Sequence, residues 1–311
     1  MSNITKAAAQ AAQAAGLTED GIRKTLNLGE KERVGAGHVK SASNGGGTQL
    51  AVIAKDQPIF PVELFDLPHP TLKGQVIPRK KALIRTDTDV VLNVVSNSYK
   101  LVPHADVFNP VAEAIQEMGL TVTEEKVSMA MDGGYARYTW MLADEDTVLQ
   151  GDKVRWAVTA WNSYNYESIL NLALSAFRLI CANGLMAPVN ISGGRIGGKH
   201  TAHLDVDGAL QRLEDLLASE KNVVEEWRRW ADVKVVANRF EKVLKDTQDI
   251  STKAREAILA TFDEGGDNVW IAYNAITWYA THQIVSRADR ETITQDLLQR
   301  RALAVAQRLA K

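Results

Sequence analysis

The chain has 311 residues, of which 45% are hydrophobic and 24% charged, a composition typical of a soluble globular protein with one large domain or two modest ones. No apolar stretch is long enough to cross a bilayer, and the first residues lack the pattern of a secretory signal. The net charge of -2 argues against a simple nucleic-acid coating role, and the single cysteine, Cys181, favours a reducing cytoplasm.

An alanine- and glycine-rich segment occupies residues 1–48. Its first part, MSNITKAAAQAAQAAG, favours helix by composition but has no strong apolar stripe. The later part, GEKERVGAGHVKSASNGGG, has the composition of a flexible linker. We therefore predict a mobile arm over residues 1–48.

Residues 49–203 are predicted to form an α+β core domain. It begins with LAVIA as a candidate strand, and the prolines of PIFPVELFDLPHPTLKG then indicate an extended segment because they exclude a long helix. KALIRTD and VVLNVVSNSYK predict two strands joined at residues 87–89. A helix is expected over residues 104–118, where apolar residues recur near helical spacing until Gly119.

Three more strands and a second helix complete the predicted domain. TVTEEKVSMAM is followed by Asp132-Gly133-Gly134, a good hairpin signal, and then by YARYTWMLA and VRWAVTAW. The apolar run over residues 167–186 predicts a helix that ends at Asn183-Gly184. The expected fold is an antiparallel sheet of about five strands with helices packed on one face.

Residues 204–311 are predicted to be helical throughout. Amphipathic segments follow one another to the last residue, and Ser251 is a candidate cap for one of them. The aromatic residues of NVWIAYNAITWYATHQ recur at helical spacing, which indicates helix–helix packing more than a stacking surface.

The last predicted strand and the turn after it combine cations with aromatic rings. Lys153 and Arg155 come at alternate positions and so lie on one face, whereas Trp156 and Trp161 fall on opposite faces. Such a combination suits single-stranded nucleic acid, whose backbone is anionic and whose bases stack. The turn itself is crowded by Trp161, Tyr164 and Tyr166.

Charge is unevenly placed along the chain. Residues 73–100 carry a net charge of +4 and residues 168–204 a net charge of +3, whereas residues 105–150 carry -7. The two positive segments either meet in one basic groove or form solvated faces that are unrelated in space. The sequence leaves both alternatives open.

No motif for bond-breaking chemistry is convincing. GGRIGGKH (193–200) approaches the phosphate-loop pattern, but His200 stands where a hydroxyl would bind magnesium. His200, His203 and the aspartates after them match no compact zinc pattern. We therefore expect no enzymatic activity, no metal and no cofactor.

Three stretches together resemble a known family. They are RTDTDVVLNVVSNSYKLVPHADVF (85–108), NSYNYESILNLALSAFRLICANGL (162–185) and NVWIAYNAITWYATH (268–282). In this order they resemble the phage- and plasmid-encoded proteins grouped as domain of unknown function 932. The family's arginine-to-asparagine motif appears as RLICAN (178–183), whereas Tyr164-Asn165-Tyr166 departs from a His-Asp-Gly-like run. The order of sheet and helices is also similar to single-strand annealing recombinases of the Redβ and RecT kind, a likeness at fold level only.

These observations lead to the expectation of a cytoplasmic phage or plasmid protein that binds single-stranded DNA and promotes annealing without ATP, as a ring or filament of identical subunits. An alternative is a non-enzymatic interaction or scaffold protein that binds a host or phage protein, which the acidic stretch 105–150 also suits. An enzyme of unrecognised chemistry is the third possibility. The expected DNA-binding residues are Tyr99, Lys100, Arg137, Lys153, Arg155, Trp161, Tyr164, Tyr166, Arg195 and Lys199.

Overall fold

The computed structural model describes residues 60–165, 170–179, 183–186, 196–198, 213–284 and 291–311. These residues form two antiparallel sheets and a set of helices, so the α+β class is confirmed. The strands are β1 (Val62–Pro68), β2 (Val76–Arg85), β3 (Val90–Ser96), β4 (Val122–Ala130), β5 (Tyr135–Leu149), β6 (Asp152–Ser163), β7 (Leu170–Arg178), β8 (Asn183–Met186) and β9 (Ile196–Gly198). The helices are α1 (Ala105–Glu117), α2 (Leu213–Ala218), α3 (Glu220–Asp232), α4 (Ala237–Lys245), α5 (Thr252–Gly265), α6 (Val269–His282) and α7 (Glu291–Leu309).

The first sheet has the order β1-β2-β3. The predicted pair of strands around residues 87–89 is confirmed as β2 and β3, and Asp89 closes the turn with a left-handed backbone (φ 55°). From Phe60 onward the proline-rich stretch before them forms β1 and the turn that follows it, which agrees with the predicted extended segment. This sheet packs through Leu83, Leu92 and Val95 on Phe60 and Tyr164, which joins it to the end of β6.

The second sheet has the order β4-β5-β6-β7-β8, and β9 also pairs with β7. The predicted hairpin at Asp132-Gly133-Gly134 is confirmed as a short 3-10 turn between β4 and β5. Both faces of the sheet are buried: on β6, Trp156 and Trp161 point to opposite faces, as predicted, and each is at most 1% exposed.

The prediction of a helix over residues 167–186 is wrong. Residues 170–178 form β7, which pairs antiparallel with β6 so that Val158 lies opposite Leu174. On β7, Leu172, Leu174 and Ala176 face the helices, while Ala173 packs on the opposite face beside Trp161. A strand buried on both faces is apolar throughout, and its sequence then resembles that of a buried helix.

The prediction of one sheet of about five strands with helices on one face is also wrong. There are two sheets, and helices contact both faces of the second one. One face packs on α1, α3 and α6, through contacts such as those of Phe108 with Tyr138 and of Trp227 with Trp156. The other face meets α7, whose Asp296 bonds with β5 and β6.

One apolar core joins the sheet to the C-terminal helices. The rings of Trp156 on β6 and Trp227 on α3 stack with centroids 5.6 Å apart, and Trp227 lies 5.4 Å from Trp270 on α6. Arg178 on β7 donates from Nε and from Nη2 to the Asp152 carboxylate on β6, each at 2.7 Å. Trp270 donates to the same carboxylate at 2.9 Å. The predicted arm over residues 1–48 and the predicted boundary near residue 204 lie outside the described residues.

Candidate nucleic-acid interface

The two cations predicted on β6 lie at the surface and share one carboxylate. Lys153 Nζ is 3.8 Å from Glu145, and Arg155 donates to Glu145 Oε1 at 2.6 Å. The hydrogen bond from Arg155 lowers the pKa of the Glu145 carboxyl, which keeps this group ionised. Part of the positive charge of the pair is therefore already offset within the chain.

Arg137 and Trp161 lie beneath α7. Asp296, 2% exposed, accepts hydrogen bonds from Arg137 Nη1 at 2.5 Å and from Trp161 Nε1 at 2.9 Å. Tyr135 donates to the same carboxylate at 2.5 Å, and burial followed by the charge of Asp296 raises the pKa of this phenol. The Trp161 ring is 1% exposed, so the predicted stacking of bases on Trp161 does not fit this arrangement.

Tyr164 and Tyr99 lie in the interior where the two sheets meet. Tyr164 is fully buried, and its hydroxyl accepts from the backbone N–H of His104 at 2.7 Å. Its ring stacks on the His104 imidazole with centroids 4.2 Å apart, and Asn93 donates to its carbonyl oxygen. Tyr99 is 7% exposed and packs in the same cluster. Neither tyrosine presents a ring to a base here.

His104 belongs to this buried junction and is fully hydrogen-bonded. Its Nδ1 lies 3.1 Å from the Asn162 amide nitrogen, and its Nε2 lies 2.9 Å from the Gly133 carbonyl oxygen. An amide nitrogen donates and a carbonyl accepts, so the assignment that satisfies both places the proton on Nε2. With both nitrogens occupied, His104 joins the strands and has no nitrogen left for proton transfer.

The remaining predicted residues divide into one exposed lysine and three that cannot be placed. Lys100 is exposed directly after the loop that follows β3. Tyr166, Arg195 and Lys199 lie outside the described residues. The two alternatives for residues 73–100 and 168–204, one basic groove or two unrelated faces, therefore both stay open.

A surface at the end of the first sheet combines exposed cations with exposed apolar side chains. Phe65, Leu72 and Val76 are 37%, 47% and 51% exposed. Within the described part of the chain, the side chains of Lys73, Arg79 and Lys80 have no acidic partner. We call this the basic hairpin surface, and it consists of Phe65, Leu72, Lys73, Val76, Arg79, Lys80 and Lys100.

The local sequence explains why these side chains point outward. Two residue steps on β1, from Asp66 to Pro68, face five steps on β2, from Lys81 to Val76, so β2 bulges. Pro78 in the bulge has no N–H for a ladder, and Arg79 adopts a left-handed backbone (φ 62°). A bulge redirects the side chains it carries, and here Arg79 and Lys80 are both exposed.

The tip of the β1–β2 hairpin is held by a histidine. His69 Nδ1 accepts from the backbone N–H groups of Thr71 and Leu72 at 3.3 and 3.1 Å. The N–H of His69 in turn donates to the Gln75 carbonyl at 2.8 Å. Leu72 and Lys73 are thus displayed on a turn with internal hydrogen bonds.

The basic hairpin surface presents charged and apolar groups side by side. Ammonium and guanidinium groups neutralise phosphates, and adjacent apolar groups contact bases or sugars.

Among the residues that the structure describes, no group of His, Cys, Asp and Glu could hold a metal ion. None of the described helices is long and apolar enough to cross a membrane.

The sequence contained a signal for this surface that the selection of single residues missed. Residues 73–100 have a net charge of +4, yet the predicted DNA-binding residues include only Tyr99 and Lys100 from this range. The prediction favours cations next to aromatic residues, of which Tyr99, Trp161 and Tyr164 are buried. The exposed prolines Pro70 and Pro78, which mark a hairpin departing from a regular ladder, were the more useful signal.

Comparison with known proteins gives one family match. The model of the family described as Domain of unknown function (DUF932) matches residues 91–303, about two thirds of the chain. No curated protein and no solved structure matches this chain. The matched range begins in β3 and ends in α7, so it takes in the whole second sheet and leaves out β1 and β2.

Proposed function

The chain belongs to the DUF932 family, whose description names no activity, and we propose a function for it from its surface. We propose that it binds single-stranded DNA through the basic hairpin surface and promotes ATP-independent annealing. In this proposal it is a non-enzymatic phage or plasmid protein that acts in the cytoplasm as a homo-oligomer. The observation that carries the proposal is that Lys73, Arg79 and Lys80, which have no acidic partner within the described part of the chain, are exposed beside exposed apolar side chains.

The charge of the basic hairpin surface supports contact with a polyanion. Lys80 pairs in register with Ser96, and the N–H of Asn97 donates to the Arg79 carbonyl at 3.3 Å. The bulge of β2 therefore lies against the loop that leads to Lys100. Each cation that contacts a single-stranded phosphate contributes about 0.7 to the slope of log affinity against log salt.

The apolar part of the surface supports a single strand as the partner in preference to a duplex. Phe65 lies on the edge strand β1, where it pairs in register with Ala82 of β2. The residue is 37% exposed. Bases of a single strand offer flat apolar faces to such a ring, whereas those of a duplex are stacked on one another. Oligomerisation would multiply contacts that are weak in one subunit.

Filter binding of a single-stranded oligonucleotide at two or more salt concentrations tests the proposal. Arg79→Ala/Lys80→Ala is expected to weaken binding and to reduce the salt slope by about 1.4, from about 0.7 for each lost phosphate contact. Lys221→Ala/Lys253→Ala removes two exposed cations from α3 and α5 and is the matched control, expected to leave the slope unchanged. An annealing assay with complementary strands and no ATP then tests the second half of the proposal.

A third variant distinguishes this surface from the strand cations. Lys153→Ala/Arg155→Ala is expected to have a smaller effect than the hairpin variant, because Glu145 already offsets part of that charge. Absence of binding at low salt, or equal losses in the hairpin and control variants, would reject the proposed interface.

The alternative function, a non-enzymatic interaction or scaffold protein, has an observation of its own in its favour. Glu113 and Glu117 on α1 and Asp144 on β5 are exposed, and the N–H of Ala143 donates to the Thr121 carbonyl just after α1. A negative surface of this kind suits a protein that normally binds nucleic acid. Absence of single-stranded DNA binding at low salt, together with loss of a protein partner on charge reversal at Glu113 and Glu117, would favour this alternative.

A further inference from the structure

Among the residues that the structure describes, two side chains beneath and within α7 have buried polar atoms without a hydrogen-bond partner. Asn171 on β7 is 1% exposed, and neither its amide oxygen nor its amide nitrogen is bonded. The Nε atom of Arg300 is buried and also unbonded. Buried polar groups are normally satisfied, so such groups indicate a missing partner such as water, an ion or a ligand.

Both side chains lie next to Trp161. The antiparallel register places Asn171 directly opposite Trp161 on the neighbouring strand. The guanidinium carbon of Arg300 is 5.8 Å from the centroid of the Trp161 ring. Burial is the main cause of the raised pKa of Tyr135, and the charge of Arg300 opposes that rise, which places Arg300 close to the same cluster.

The charges of this region do not cancel. Arg137 is paired with Asp296 at 2.5 Å, which is the only carboxylate that the described residues bring to the cluster. Arg300, one turn after Asp296 on α7, has no ion pair within the described part of the chain. Among the described residues, the cluster thus holds two guanidinium groups, those of Arg137 and the partly exposed Arg300, and one carboxylate, that of Asp296.

We infer that a small oxyanion of the phosphate class binds between α7 and the second sheet, held by the Arg300 guanidinium and the Asn171 amide beside Trp161. Guanidinium presents paired N–H donors that match phosphate oxygens, and the amide N–H₂ of Asn171 adds a further donor. The site lies on a different sheet from the basic hairpin surface, so it is a separate site and does not depend on the proposed DNA binding.

Thermal unfolding with inorganic phosphate, against chloride at the same ionic strength, tests the inference. The native protein should show a saturable rise in Tm of about 2–5 °C at phosphate concentrations well above Kd. Arg300→Gln and Asn171→Ala should each abolish most of this rise. Arg301→Gln is the matched control: it removes a neighbouring cation of α7, which pairs with Asp249, and should keep the rise.

The outcomes separate this site from general anion effects. No rise in the native protein, or equal losses in Arg300→Gln and Arg301→Gln, would overturn the inference. Should Arg300→Gln not fold, isothermal titration with phosphate is carried out on the native protein and on Arg300→Lys instead. If the native protein gives no heat of binding, the inference is overturned. Arg300→Gln should leave filter binding of single-stranded DNA unchanged, so failure of either proposal is visible independently.

Discussion

The substitution Asp296→Asn tests the role of the buried carboxylate that attaches α7 to the second sheet. Asp296 is 2% exposed and accepts from three donors, at 2.5 Å from Arg137, 2.5 Å from Tyr135 and 2.9 Å from Trp161. Asparagine has nearly the same shape but removes the charge and places an N–H₂ donor against one or more of these donors. The Arg137 guanidinium, whose side chain is 18% exposed, would then be a largely buried charge that has lost the carboxylate it pairs with.

Breaking one side of a buried ion pair destabilises a protein by about 3–5 kcal/mol. Urea unfolding followed by tryptophan fluorescence should show this loss as a lower midpoint at an unchanged m value. Asp249→Asn is the matched control, since Asp249 forms a partly exposed pair with Arg301 at 2.8 Å that is worth about 0–1 kcal/mol. A loss below about 1 kcal/mol for Asp296→Asn would refute this account of α7 docking.

Three further predictions concern the core. Asp152→Asn should cost about 3–5 kcal/mol in urea unfolding, because it removes the carboxylate charge that Arg178 binds at 2.7 Å; a loss matching that of Asp249→Asn would contradict this. Gly133→Ala should destabilise the protein more than Gly151→Ala. Both glycines have a positive φ, but only at Gly133 would an added Cβ lie 2.2 Å from the Phe60 ring. Equal urea midpoints for the two variants would contradict this. Three phenols with pKa raised mainly by burial should ionise only as the protein unfolds. Their stabilising contribution is complete below the ordinary tyrosine pKa of about 10 and is lost as the pH rises above it. Tyrosinate absorbance should therefore rise together with loss of near-ultraviolet circular dichroism, and smooth titration of all tyrosines in folded protein would contradict this. The phenols are those of Tyr135, Tyr138 and Tyr164.

Local signals predicted much of the fold. The helix expected over residues 104–118 is α1, and Ser251 caps α5 by accepting from the Ala254 N–H at 3.2 Å. Both depend on spacing and chemistry within one or two turns, which sequence contains directly. The strand β7 was missed because its identity depends on pairing with β6 and on cover over both faces.

The candidate site was harder to predict because exposure depends on distant parts of the chain. Trp161 follows a strand with surface cations, and nothing near it in sequence indicates that Asp296, 135 residues later, accepts its N–H. Exposed cations of the β2 bulge, by contrast, follow from nearby prolines and from a local excess of Lys and Arg. Local charge therefore located a surface, whereas the choice of aromatic contacts required tertiary structure.

The attachment of α7 has a consequence for biogenesis. Tyr135 and its carboxylate partner are 161 residues apart, and Asp152 and its indole donor on α6 are 118 apart. Contacts between residues so far apart in sequence form slowly. Until the helices that cover them have folded, strands with exposed aromatic side chains are prone to aggregate. On the ribosome, β5 and β6 would emerge long before α7 exists to cover them. We expect yield in a heterologous host to depend on chaperone supply and growth temperature more than on the stability of the finished molecule.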